Sequence, residues 1–219
     1  MLEITQYINT DFKPFDVNEN IAFVQSFFSD LTYSHFPILS DGIYIGCISS
    51  DDVVTFNPID TLAEYRYTFE GFFARPQMIW LDVLEVFAQN NTNIVPVLDE
   101  NNHYLGYYEL NDIIQFFHET PFMREDGGII TVQKPTKDYS MSQIAQIVET
   151  NNGKILGMFV NNANADFIQV TIKTTLGGLN EILQTFRRFD YEIISEHQED
   201  SYLSNLKDRS DYLDRYLNI

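Results

Sequence analysis

The sequence predicts an α+β chain: two tandem units of helix, strand, strand and helix packed sheet to sheet, then a domain of order β-α-β-β-α-β, then a C-terminal helix. Three observations predict this. The stretch at residues 36–54 recurs at 95–114. The composition shifts at Glu119-Thr120-Pro121 and Glu125-Asp126-Gly127-Gly128, which marks a boundary. Beyond it, strand and helix periodicities alternate in a different order.

The repeat aligns residue by residue. Pro37 falls on Pro96 at an offset of 59, and Gly46 on Gly106 and Asp52 on Asp112 at offsets of 60. The extra residue falls in the turn, where Ser40-Asp41-Gly42 faces Asp99-Glu100-Asn101-Asn102. A hairpin loop absorbs one insertion easily. Each unit opens with a short extended segment, expected at Phe12–Phe15 and Gln77–Trp80. A helix follows, with Ile21, Val24, Phe27, Phe28 and Leu31 at helical spacing in the first copy and Val83, Leu84, Val86 and Phe87 in the second. Two strands come next, Phe36–Leu39 and Ile43–Ile48 in the first copy. Ser49, Ser50, Asp51 and Asp52 offer N-cap oxygens for a helix starting near Val53. A unit of about 60 residues buries one sheet face poorly alone, and a second copy supplies the cover.

Between the copies, at 56–76, Asn57-Pro58 breaks the helix. Asp60–Tyr67 suits another short helix. Tyr65, Tyr67, Phe69, Phe72 and Phe73 crowd together, as packing against the sheets or as an aromatic ligand wall.

Past the boundary, Gly128–Gln133 reads as a strand and Ser140–Thr150 as a helix with Ser140 as cap. Lys154–Val160 and Phe167–Lys173 read as strands, Leu176–Phe189 as a helix and Tyr191–Ser195 as a last strand. This order is the ferredoxin-like arrangement. In the tail, Leu203, Leu206, Ser210, Leu213 and Leu217 form a seam at 3-4-3-4 spacing, which suits a helix docked on its own subunit or across a dimer. The divisions are therefore 1–60, 61–122, 127–196 and 197–219.

Composition excludes several functions. The 219 residues carry 13 Lys and Arg against 32 Asp and Glu, a net charge of −19. Such a chain has no footprint for nucleic acid and is repelled by anionic membranes. With 18 Phe and 13 Tyr it holds enough apolar surface to fold. Cys47 is the only cysteine, so no intramolecular disulfide exists, and its apolar surroundings suit a core residue. No basic leader opens the chain and no apolar run approaches the roughly 18 residues of a membrane span, so a cytoplasmic protein is expected. His35, His103, His118 and His197 show no ligand spacing, and no Walker or nucleophile-elbow motif is present, so no enzyme is expected. His35 and His103 fall in or near the hairpins, at the surface or near a ligand. Acidic neighbours such as Asp51-Asp52 and Asp99-Glu100 suit turns and caps better than a weak Mg²⁺ site.

The first copy reads Gly46-Cys47-Ile48-Ser49-Ser50-Asp51-Asp52, after an apolar-Pro-apolar strand and an Asp-Gly turn. With its second copy, Gly106-Tyr107-Tyr108-Glu109-Leu110-Asn111-Asp112, the pattern resembles the CBS domain, named after cystathionine β-synthase. The second copy departs at Glu109, where the pattern has a hydroxyl. With two such copies in front, residues 127–196 look like an ACT domain. The whole resembles the acetoin-utilisation type of CBS–CBS–ACT protein.

The resemblance implies a non-catalytic regulator, a homodimer, whose pair holds an adenosyl ligand such as AMP, adenosine or S-adenosylmethionine, with or without Mg²⁺. It places Asp52 and Asp112 on ribose hydroxyls, Ser49 and its counterpart Glu109 on the phosphate side, and Phe36, Pro37, Val95 and Pro96 around the base. The chemistry agrees in part. A carboxylate offers several acceptors to a diol. Glu109 repels a phosphate: like charges 4 Å apart cost about 1 kcal/mol in water and about 4 kcal/mol at an effective dielectric of 20. The second cleft should thus prefer an uncharged adenosyl ligand, a cation or a metal-bridged phosphate. Asp52 and Asp112 are also placed to cap their own helices. The alternative is a dimeric scaffold with vestigial clefts that meets a basic protein partner. ACT domains bind amino acids near a glycine in the β1–α1 loop. Here Lys134–Ser140 has no glycine and a bulky Tyr139, which disfavours such a ligand.

Overall fold

The computed structural model of the chain describes residues 4–196. The seam at Leu203–Leu217 and His197 lie outside the described residues. The chain divides into two units that meet at Glu119 and Thr120.

In the first unit, the first copy comprises β1 (Phe15–Asp16), α1 (Ile21–Asp30), β2 (His35–Ser40), β3 (Ile43–Ser49) and α2 (Ser50–Val53). The second comprises α3 (Trp80–Gln89), β4 (Ile94–Leu98), β5 (Tyr104–Glu109) and α4 (Leu110–His118). Asn20 caps α1 by accepting the Ala22 N–H at 2.9 Å, and the helix buries Ile21 and Val24. β2 and β3 form an antiparallel hairpin closed by Asp41 and Gly42, both at positive φ (52° and 81°). That two-residue geometry matches the twist of the strands. The second hairpin has a longer loop, held by Asp99, whose carboxylate accepts the N–H groups of Asn101 and His103 at 2.8 Å each. Both hairpins carry an irregularity at the same repeat position, Ile38/Leu39 and Val97/Leu98.

The extended segment before the second copy lies earlier than Gln77–Trp80. Ala74 pairs in parallel with Val97, just as Phe15 of β1 pairs with Ile38, and Trp80 already begins α3. A single bridge leaves no apolar run to mark it. Further pairings join the copies. Asn9 pairs with Tyr107 of the second copy through reciprocal backbone bonds of 2.8 and 3.0 Å. Glu70, in the connection to the second copy, pairs with Cys47 of the first at 2.8 and 2.9 Å. The cores are shared in the same way. One gathers Phe36, Ile38 and Val53 with Ile94 and Tyr107 of the other copy. The other gathers Val83, Phe87, Val95 and Ile113 with Cys47 and Ile4. Each such side chain, fully buried, contributes about 1.5–3 kcal/mol.

The connection holds a 3-10 helix, Leu62–Thr68, in place of the expected Asp60–Tyr67 helix. Its aromatics divide. Tyr65 stacks on Phe56 at 3.8 Å and Phe72 is buried, whereas Tyr67 is exposed.

The second unit contains α5 (Pro121–Arg124), β6 (Gly128–Pro135), α6 (Met141–Thr150), β7 (Ile155–Ala163), β8 (Phe167–Thr174), α7 (Leu179–Arg188) and β9 (Glu192–Glu196). Its sheet runs β7-β8-β6-β9 with antiparallel neighbours, the ferredoxin-like order. Ser140 caps α6, accepting the Gln143 N–H at 3.4 Å. Ile144, Ile147 and Val148 of α6 and Ile182, Leu183 and Phe186 of α7 cover one sheet face. α7 starts at Leu179, later than the apolar spacing from Leu176 suggests. Gly178 at φ +75° breaks the helical path, and a side chain there would strike the Asn151 carbonyl.

Candidate functional site

The motif residues sit where each second strand turns into its helix. Ser49 closes β3 and caps α2, and its Oγ accepts the Asp51 N–H at 3.2 Å. That leaves the hydroxyl proton of Ser49 without a partner among the described residues. Asp52 is therefore not the cap. It stands in the first turn of α2, half-buried, and its carboxylate has no hydrogen-bond partner among the described residues. A negative side chain is favoured there by the helix dipole. In the second copy Glu109 takes the cap position of α4 but makes no side-chain cap bond, and Asp112 occupies the first turn.

The strand residues group differently from the sequence order. β2 pairs His35 with Ser49, Phe36 with Ile48 and Pro37 with Cys47. The Phe36 side chain is wholly buried and packs on Phe15, Phe27, Tyr33 and Tyr107. It thus lies with the residues around Glu109 of the other copy. Val95 is wholly buried in the core that holds Cys47, next but one to Ser49. Pro37 and Pro96 are buried in their strands. The buried residues next to Ser49 and those around Glu109 therefore come from both copies.

Around the first cleft runs a polar chain. Ser34 Oγ donates to Thr92 Oγ1 at 3.3 Å and lies 3.0 Å from His35 Nδ1, and His35 Nε2 faces Glu70 Oε1 at 3.4 Å. His35 is 7% exposed, so a surface role does not apply to it. His103, by contrast, is exposed on the hairpin loop, where its Nδ1 meets Asp99 Oδ2 at 3.0 Å and holds the Asp99 carboxyl below the usual range.

Around the second cleft the arrangement differs. Tyr33 donates its hydroxyl proton to Glu109 Oε1 at 2.9 Å, and Asn9 Nδ2 donates to the same oxygen at 3.2 Å. The Tyr33 and Tyr107 hydroxyls lie 3.3 Å apart. Burial, followed by the hydrogen bonds to Tyr107 and Glu109, raises the Tyr33 pKa well above its ordinary value. Neither Tyr33 nor Asn9 belongs to a motif. The repeat held a signal, since Tyr33 aligns with Thr92 at the offset of 59.

In the second unit, Lys134 at the end of β6 reaches the segment between α7 and β9. Lys134 Nζ donates to the Phe189 carbonyl at 2.8 Å and lies 4.4 Å from the centre of the Tyr191 ring. Among the described residues, no group of three His, Cys, Asp or Glu side chains is placed to hold a metal ion. No helix among them is long and apolar enough to cross a membrane.

Comparison with known proteins agrees with the second copy. Residues 72–119 match the family model of the CBS domain. No curated protein sequence matches the chain. Among solved structures, the chain is similar to a CBS domain pair/ACT domain protein from Thermotoga maritima, at 14% identity and a TM-score of 0.49, over 54% of this chain and 98% of that one. It is similar to the CBS domains of a transcriptional regulator from Streptococcus pneumoniae, at 14% identity and a TM-score of 0.47, over 52% and 98%. It is also similar to the CBS domain of a bacterial CNNM/CorC family Mg²⁺ transporter solved in complex with ATP, at 15% identity and a TM-score of 0.43, over 52% and 84%.

Proposed function

We propose that the chain is a non-catalytic regulatory protein of the acetoin-utilisation type. Its pair of copies takes an adenosyl ligand at the first cleft and, on binding, changes the arrangement of domains or of a homodimer. The observation that carries this is the turn from β3 into α2. There Ser49 keeps a free hydroxyl proton and Asp52 a half-buried carboxylate without a partner among the described residues. A diol and a phosphate oxygen need those two groups, an acceptor and a donor. The match of the second copy to the CBS domain supports the same reading. Asp52 holds the ribose and Ser49 the phosphate side, while Val95, being buried in the core that holds Cys47, shapes the wall from behind. A ligand shifts an arrangement only by its differential affinity for two states.

Adenosine, AMP, S-adenosylmethionine, ATP and NADH are to be screened by thermal shift, with and without Mg²⁺. A ligand at 100 times its Kd adds roughly 2.7 kcal/mol to stability. At least one should raise the melting temperature, and Asp52→Ala should remove that response while leaving the unliganded melting temperature within a few degrees. A flat response to all five overturns the reading.

A further inference from the structure

We infer that the second cleft is filled by its own side chains, so that the pair takes one adenosyl ligand per chain. The stoichiometry rests on the function proposed above; the filling of the cleft does not. The internal repeat makes the comparison position by position. Where the first cleft has Thr92, Cys47 and Ser49, the second has Tyr33, Tyr107 and Glu109. At these three positions short side chains are replaced by two phenol rings and a longer acid, while His35 and Glu70 of the first cleft give way to Ile94 and Asn9.

The replacements bond to one another. The Glu109 carboxylate stands where a hydroxyl would donate to a phosphate, and it accepts from both Tyr33 and Asn9 through one oxygen. It offers an incoming anion no proton. The Tyr33 ring lies nearly parallel to Phe36, 11° between planes with centroids 5.7 Å apart. It meets Tyr107 and Phe12 edge-on, with centroids 6.0 Å away in each case. Its phenol, protonated at neutral pH, is the donor to Glu109 at 2.9 Å. Asn9 is also the residue whose backbone pairs with Tyr107. The plug thus fastens the N-terminal segment across the second copy. No residue of the first cleft makes an equivalent bond to Ser49 among the described residues.

The test is the number of ligands bound. AMP and adenosine are titrated calorimetrically into the full chain, into Tyr33→Ala/Glu109→Thr and into Glu109→Gln. Threonine at 109 supplies the cap oxygen that Glu109 does not use, which offsets lost packing. Glutamine keeps an acceptor for Tyr33 and Asn9 and should leave the plug in place. The native chain and Glu109→Gln should bind one equivalent and the double variant two. Hydrogen exchange at the Asn9 and Tyr107 amides supplies a readout without ligand. It should speed up at least tenfold in the double variant and stay near native in Glu109→Gln. Two equivalents on the native chain, or one on both the native chain and the double variant, overturn the inference. If the native chain binds neither and the thermal-shift screen of all five ligands is flat, the proposed function fails. The plug is then supported by one new equivalent or by faster exchange in the double variant, and overturned when neither occurs.

Discussion

Gly46 and Gly106 show how a single motif position serves the fold before any ligand. They lie at φ +145° and +147°, a region L side chains rarely adopt. A Cβ on Gly106 would stand 2.6 Å from the Asn9 carbonyl oxygen and 2.5 Å from Ile8 Cγ2. On Gly46 the nearest atoms are Phe69 Cβ at 3.0 Å and the Glu70 oxygen at 3.2 Å. Each glycine lets the exchanged segment reach the strand. Gly106→Ala should therefore cost more than Gly46→Ala. Both should exceed the roughly 1–3 kcal/mol of a strained backbone position, as read from urea midpoints; equal and small losses would contradict the close approach. The motif itself was legible in the sequence, because spacing and residue type define it. Tyr33 and Asn9 were not, because they reach Glu109 across separations of 76 and 100 residues.

The elements follow the sequence wherever a side chain marks a boundary. Asn20 and Ser140 cap α1 and α6, and Asn57-Pro58 ends the stretch after α2. Asn20→Ala should lower stability by about 1 kcal/mol, measured by chemical denaturation, whereas Asn20→Ser should stay within a few tenths, since serine offers the same acceptor. A loss equal for both variants would show that the cap bond is not the cause. Boundaries drift where the marker is a backbone pairing. Ala74 is set by its bridge to Val97, and nothing in Gln77–Trp80 or around Ala74 announces it. The β-α-β-β-α-β order was legible because each of its strands is an apolar run of its own. Whether the Phe36 side chain faces a base or a core was not, because a buried strand reads the same either way.

At the scale of the molecule, the phenols of the first unit form a group that titrates late. Burial is the first cause of the raised pKa at Tyr33, Tyr44, Tyr104, Tyr107 and Tyr108, and Tyr108 is pushed up to about 12. The unfolded chain ionises near pH 10. Protons are thus held more tightly in the folded state, so this contribution is complete below about pH 10 and is lost as pH rises toward 12 and beyond. An alkaline titration followed by tyrosinate absorbance and circular dichroism should show a fraction of the phenols ionising only as the fold is lost. Ionisation of all of them near pH 10 with the fold intact would contradict their burial.

The exchanged segments also set a schedule for synthesis. Glu70 must leave the ribosome before Cys47 has its neighbour, and Asn9, made well before its partner, waits for Tyr107. Long-range pairings of this kind close late and slow folding. The nascent first copy therefore spends its synthesis with Ile4–Asn9 unpaired and Cys47 uncovered, and the two shared cores close only once nearly all of the first unit exists.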